Sequence, residues 1–308
     1  MSVYNIISDS DITSEISSCL RNRVLDQKFL YNKSAELYYK FYEEDPLFRH
    51  SNNKEQLNIN SFGFKNCFEK KQNMCLISLG CDSHIENELF KELEKDDEYN
   101  VDYIVDLSKR MLKLSDTKLS KLKTNKKLIC ADFSSELFIN EIFRLTKNYN
   151  KRVFTFFSNT FNINHTNIID LLYNILNSGE QIWLDVRIRK NTTKDDMEIF
   201  NIHTLNSNNS TFENILSIFV QNIPLDNGYF SKVLKKESSL NALKLEFFFN
   251  LNKKVVTNLK QITFLPERIR CQQIYYYDPV ELILFFKEHN FKLIDKEIKN
   301  RQFLFEKK

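Results

Sequence analysis

Met74-Cys75-Leu76-Ile77-Ser78-Leu79-Gly80 is an apolar run that ends on a glycine, and two later apolar runs end on acids. Asp106 closes one of them, in Tyr103-Ile104-Val105-Asp106-Leu107-Ser108, and Asp132 the other, in Leu128-Ile129-Cys130-Ala131-Asp132-Phe133. A strand buried on both faces of a parallel sheet reads as a continuous apolar run, and in open α/β sheets ligands bind beyond the carboxyl ends of such strands. One glycine and two carboxylates at successive strand ends therefore point to a nucleoside pocket. Asp106 follows Gly80 at a separation near the roughly 20 residues that part a glycine turn from a ribose-binding acid. Asp also ends strands in α/β proteins that have no such pocket, so the surrounding pattern has to decide.

Composition narrows the nucleoside. The chain has 4 glycines in 308 residues, and the loop after the first run, Gly80-Cys81-Asp82-Ser83-His84, contains no G-x-G-x-x-G. A pyrophosphate needs glycines where backbone approaches it and a positive helix N-terminus beside it. Asp82 puts negative charge there instead, which disfavours NAD and FAD, and a Walker-type phosphate loop is absent. S-adenosylmethionine carries a nucleoside and a sulfonium amino acid without phosphate, so one glycine with nearby acids suits it.

With 42% hydrophobic residues, 27 Phe and 13 Tyr, the chain can bury a substantial core in one large or two modest domains. No apolar stretch is long enough to span a membrane, and Met1 to Leu20 is too polar for a signal peptide, so a cytoplasmic protein without a membrane partner is expected. The 6 cysteines show neither a C-x-x-C pair nor zinc-ligand spacing and read as free thiols; the 5 histidines form no H-x-x-x-H pair, so no metal is expected. A net charge of +3 gives no global field for nucleic acid, and none is expected as a partner. The densest basic tract, Lys118 to Lys127, reads as a solvated helix end and loop.

Along the chain, apolar spacing predicts a helix over 85–94, strand 101–106, a helix from about Ser108, strand 127–131, helix 136–146, strand 152–157, helix 166–176 and strand 181–186. Strands alternating with helices imply right-handed crossovers and a parallel sheet covered on both faces. Beyond Val186 the alternation fails. Residues 190–260 mix asparagine-rich loops, a helical 212–221, the turn Pro224 to Gly228 and a long strand 243–251. A helix entered through Asp278-Pro279 precedes strands 291–295 and 302–306, and the first 60 residues read as helices rich in Tyr and Phe. The expected organisation is an α/β nucleotide-type sheet domain, 62–190 with 275–308, joined to a smaller α+β substrate-recognition domain, 1–61 with 191–274.

Six segments in order resemble the S-adenosylmethionine-dependent amino-acid Nα-methyltransferases that include the histidine-specific enzyme of ergothioneine biosynthesis and fungal relatives. The segments are Tyr31 to Tyr38, Leu76 to Gly80, Asp106-Leu107-Ser108, Ala131-Asp132-Phe133, Phe156 to Asn162, and Glu267-Arg268-Ile269 followed by Tyr275-Tyr276-Tyr277. The resemblance runs from about Tyr31 to the end and implies a Rossmann-like class I methyltransferase sheet, with S-adenosyl-L-methionine held by Gly80, Asp106, Ser108, Asp132, Phe133, Ser158 and Asn159. In that arrangement Asp106 binds the ribose hydroxyls, Asp132 accepts from the adenine amino group, Phe133 packs on the ring, and Gly80 lets backbone approach the methionine portion. Tyr31 and Asn162 stand where the family holds the substrate's amino and carboxylate groups, and they are the implied catalytic pair. Gln272 and Ile274 stand where the family recognises an imidazole with Glu and Ser.

The departures from the pattern carry information. Ser78 replaces the family's acid, and Cys81-Asp82 its second glycine. Gln272 lacks the charge of Glu, and Ile274 lacks a donor and an acceptor, so a hydrogen-bonding imidazole finds no matching site and histidine is not the expected acceptor. An amino acid or a derived small-molecule amine, as in natural-product biosynthesis, is expected instead. Each residue also has a plainer reading: Tyr31 as a packing aromatic, Asn162 as a helix cap or turn residue, Gln272 on an exposed strand face. A degenerate methyltransferase fold kept as a binding or regulatory subunit is the alternative that Ser78 and Asp82 favour. The sequence favours a monomer slightly and does not name the acceptor.

Overall fold

The computed structural model describes residues 2–25, 27–29, 35–37, 73–81, 101–121, 125–156, 165–190, 192–202, 225–257, 262–297 and 302–308. Its centre is an eight-stranded sheet. In chain order the strands are β1 (Val3–Asn5), β2 (Met74–Leu79), β3 (Val101–Asp106), β4 (Lys126–Cys130), β5 (Lys151–Phe156) and β6 (Gln181–Asp185). A second group follows, β7 (Gly228–Glu237), β8 (Ala242–Leu251), β9 (Val255–Val256), β10 (Thr263–Phe264) and β11 (Arg268–Tyr276), before β12 (Phe291–Glu297) and β13 (Gln302–Lys307) return to the large sheet.

The large sheet runs β1-β4-β3-β2-β5-β6-β13-β12. Every pairing in it is parallel except those of β13, which lies antiparallel to both β6 and β12. From β4 to β6 this is the doubly wound order, and the reversed β12–β13 hairpin extends it at one edge. It is the Rossmann-like, doubly wound α/β sheet expected from the sequence. All six residues of β2 are buried, as are all five of β6, because helices or a second sheet cover both faces.

One face carries α1 (Asp9–Arg21), through Ile12, Ile16 and Leu20, and α2 (Lys109–Lys118), through Met111 and Leu112. The three-stranded antiparallel sheet β11-β8-β7 packs on that same face through Leu245, Phe247, Phe249, Ile269 and Ile274. The other face carries α3 (Glu136–Thr146), α4 (His165–Ile175) and α6 (Pro279–Glu288), which bury Phe138, Ile142, Leu172, Leu282 and Phe286. Side chains placed at the helix starts satisfy N–H groups that no helical carbonyl reaches: Ser108 bonds Met111 N–H, Ser135 bonds Phe138 N–H, and Asp278 bonds Val280 and Glu281 N–H.

The expected α/β alternation is present, with strand limits displaced by one residue at β4, β5 and β6. Several expectations are corrected. Val3–Asn5 is a strand, not part of a helical region, and it pairs with β4 as an eighth strand of the large sheet. Lys126 is not solvated: it lies buried in β4 with Nζ donating to Leu119 O at 2.6 Å. Where loops were expected, α5 (Thr193–Ile202) and β7 form, and β11 passes through the expected boundary at 274–275 without a break. The expected helices 85–94 and 212–221 lie outside the described residues. Among the described residues no helix is long and apolar enough to cross a membrane.

Candidate active site

Gly80 follows β2, where the strand order reverses between β2 and β5, the position at which ligands bind in such sheets. Its φ of +77° is a conformation that glycine adopts without steric cost, and its N–H donates to Val105 O at 2.8 Å. Leu79 pairs with Val105, so the next step of the register sets Gly80 beside Asp106. The Asp106 carboxylate then braces two turns at once. Its Oδ2 accepts from Cys81 N–H at 2.9 Å and its Oδ1 from Ser108 N–H at 2.7 Å. Burial raises the Asp106 pKa to about 6, against the pull of those two amide bonds. A carboxylate has about four acceptor positions, so ribose hydroxyls remain within its capacity. Ser108 contributes its N–H to Asp106 and its hydroxyl oxygen to Met111 N–H, so the structure gives it a scaffolding place at the rim.

Asp132 lies two residues beyond β4, the neighbour of β3. Oδ1 accepts from Ser134 N–H at 2.9 Å and Ser134 Oγ at 2.6 Å, while Oδ2 takes the Lys28 ammonium at 2.5 Å. Burial works to raise the Asp132 pKa, but the Lys28 charge, with hydrogen bonds from Lys28 and Ser134, outweighs it and holds the carboxyl below its ordinary value. Lys28 also pairs with Glu15 at 2.9 Å. Sequence reasoning missed Lys28, which sits in a single 3₁₀ turn, Gln27–Phe29, with no motif around it. The chain just before it is pinned to the three-stranded sheet, since Leu25 N–H donates to Arg270 O at 2.9 Å and Val24 bridges to Arg270. Farther on, Glu36 pairs with Arg110 of α2 at 2.7 Å. Phe133 meets the Phe156 ring edge-on, centroids 5.7 Å apart, which places an aromatic surface next to Asp132.

Gln272 and Ile274 lie on the face of β11 that packs toward the large sheet, opposite Phe247 and Leu245. Gln272 is 5% exposed, which corrects the reading that put it on an exposed strand face. Its Oε1 is buried without a hydrogen-bond partner, and so is the Oγ1 of Thr155 in β5. An unpaired buried acceptor costs about 1–3 kcal/mol, so Gln272 is a position at which an incoming donor gains. Tyr31, Ser158, Asn159 and Asn162 lie outside the described residues. Cys75, Cys81, Cys130 and Cys271 are buried and Cys19 is half-buried, and none of these five is in a disulfide. Among the described residues no group of three His, Cys, Asp or Glu is placed to hold a metal ion.

No protein-family model matches the chain, and no curated protein matches it either. Some solved structures are similar to it, at TM-scores below 0.5. One is an S-adenosylmethionine-dependent methyltransferase from Clostridium acetobutylicum ATCC 824, with a TM-score of 0.43 and 14% identity over 90% of this chain and 98% of that one. Another is a putative Zn-dependent alcohol dehydrogenase from Rhodobacter sphaeroides, with a TM-score of 0.43 and 11% identity over 90% and 98% of the two chains. A third is a mycolic acid cyclopropane synthase complexed with SAH and CTAB, with a TM-score of 0.37 and 11% identity over 68% and 78%. With TM-scores below 0.5 these likenesses carry no argument about this chain, and the functional reading rests on the rim itself.

Proposed function

We propose that the chain is an S-adenosylmethionine-dependent N-methyltransferase acting on an amino acid or an amino-acid-derived small molecule other than histidine. The observation that carries this reading is the Asp106 carboxylate bonded to the Gly80–Cys81 turn at the point where the strand order reverses. That rim fits an adenosyl group better than a dinucleotide: side-chain carboxylates line it, and its loop has one glycine where a pyrophosphate needs several. Bound S-adenosylmethionine supplies an activated methyl group whose leaving group is a neutral thioether.

The chain's own residues then have limited chemical work. Asp106 accepts from the ribose hydroxyls, Asp132 from the exocyclic amine of adenine, and Phe133 covers the base. Tyr31 and Asn162 hold the amino and carboxylate groups of the acceptor, and Ser158 and Asn159 border the cofactor. The acceptor amine has to be unprotonated, a state that an α-amino group of pKa near 8 populates at roughly 10% at neutral pH. Holding nitrogen and methyl carbon at near-attack distance in a dry site supplies the rest of the acceleration. The unit built around β7, β8 and β11 provides the acceptor wall, where Gln272 Oε1 receives a neutral N–H or O–H donor and Ile274 packs on the apolar remainder. Nucleic acid and membrane have no part in this reading.

A binding or regulatory subunit is the second reading, favoured by Ser78 in place of an acid and by the Lys28 ammonium already seated on Asp132. Titration with S-adenosylhomocysteine separates the two. Saturable binding followed by methyl transfer from labelled donor to an amino acid or amine supports the enzyme. Absence of binding at millimolar ligand overturns it in favour of the subunit, and trimethylhistidine among the products contradicts the reading of Gln272 and Ile274.

A further inference from the structure

The face of the three-stranded sheet that points away from the large sheet holds an unusual charge arrangement. Glu246, in the central strand β8, is 2% exposed and meets three cations. Lys235 Nζ lies 2.5 Å from its Oε2, while Lys244 Nζ and Arg270 Nη1 each lie 3.2 Å from its Oε1. The register explains the crowding, because Lys235 and Lys244 are direct cross-strand partners and Lys244 in turn pairs with Tyr275. Like charges placed opposite each other destabilise a sheet, and one carboxylate offsets only one of the three. Glu237 gives partial relief at 3.6 Å from Lys244. One strand end further, Arg268 stacks on Phe248 at 3.4 Å and adds a fourth cation to the same face. Lys244 is held among these groups with a side chain only 14% exposed, where solvent screens little, whereas Lys235 is 53% and Arg270 30% exposed and open to a ligand.

We propose that Lys235, Lys244 and Arg270 form an oxyanion-binding site for a phosphate group, with Glu246 as the internal counter-ion with which the phosphate competes. A planar guanidinium beside two ammonium groups suits a phosphate, which has oxygens enough for all three and a double negative charge that balances the surplus. The site stands apart from the sheet rim: the opposite face of the three-stranded sheet packs on the large sheet through Phe247 and Phe249. It binds anions whether or not the rim binds a cofactor.

Inorganic phosphate is the probe, titrated into the full chain with ionic strength held constant by chloride and read as a shift in thermal unfolding and as 31P line broadening. Stabilisation beyond the chloride control is expected, because a ligand that binds only the folded state raises its stability. Lys235→Met and Arg270→Met should each weaken phosphate roughly tenfold, whereas Glu246→Gln removes the resident competitor and should tighten it by a similar factor. Lys235 is exposed enough that its replacement leaves folding intact, which the unfolding curve without phosphate verifies. Phosphoserine binding more tightly than inorganic phosphate identifies an ester-borne group as the ligand, and equal affinity identifies free phosphate. No stabilisation beyond chloride, or wild-type phosphate affinity in Lys235→Met, overturns the proposal, as does weaker binding in a folded Glu246→Gln.

Discussion

Asp106 and Asp132 end neighbouring strands with the same carboxylate, yet their surroundings push them in opposite directions. Asp106 is braced by two backbone amides close to it in the fold, Cys81 and Ser108, and burial leaves its pKa raised to about 6. Asp132 is braced by Ser134 and by Lys28, a cation 104 residues away in sequence, and its pKa is lowered. The first is a carboxylate poised to titrate; the second is fixed as an anion. Two acids that look equivalent in the sequence are thus prepared for different work, one sensing its turn and the other tying a distant segment to the rim.

Removing the fixed anion has the largest expected effect. Asp132→Ala strands Lys28 on Glu15 alone and, in the proposed function, deletes the acceptor for the base, so S-adenosylhomocysteine binding should disappear in calorimetry. Wild-type affinity in that variant would place the base elsewhere. The titrating partner gives a graded effect. Protonated Asp106 has lost an acceptor, so affinity for S-adenosylhomocysteine should fall about tenfold per unit as pH drops below about 6. Asp106→Asn should flatten that profile, and a wild-type profile that is already flat breaks the contrast between the two acids. Stability moves the other way. Because the folded pKa is raised from 3.8, the stabilising contribution of protonated Asp106 is full below 3.8 and is lost as pH rises through about 6.

Lys28→Met sharpens the comparison from the other side. The pair is partly buried, at 21% and 11% side-chain exposure, so a carboxylate left with Ser134 and without its cation should cost about 1–3 kcal/mol in urea denaturation. An unchanged midpoint would mean that Lys28 contributes nothing to holding the segment. The smallest effect belongs to the proposed acceptor wall. Gln272→Leu replaces an unpaired buried acceptor by an apolar group and should raise stability by about 1 kcal/mol while lowering methyl transfer. A loss of stability would show that Oε1 is satisfied in solution.

The parts legible in the sequence were those whose partners are close in the chain or whose burial is two-sided. β2, β3 and β6 read as strands because both faces are covered and their interiors are near-continuous apolar runs, and the start of α6 was legible in Asp278-Pro279. β7 was not, because Gly228 to Glu237 is half-exposed and rich in lysine, so no apolar alternation marks it. β11 carries a bulge between Arg270 and Gln272 that breaks the two-residue period at the position where the face of Gln272 had to be decided. β1 has three residues, too few for any periodicity. Asp106 and Gly80 were found as neighbours because their strands pair, while Lys28 left no local trace, its role coming only from a fold that returns it to Asp132.

The central claim is that Gly80, Asp106 and Asp132 form one adenosyl-binding rim. Amide hydrogen exchange on the intact chain, with and without saturating S-adenosylhomocysteine, tests it most directly, since the amides of Cys81, Ser108 and Ser134 bond to the two carboxylates in question. The account predicts slowed exchange concentrated in the three segments 76–81, 103–108 and 130–135. Unchanged exchange in those segments, or protection confined to other parts of the chain, would contradict it.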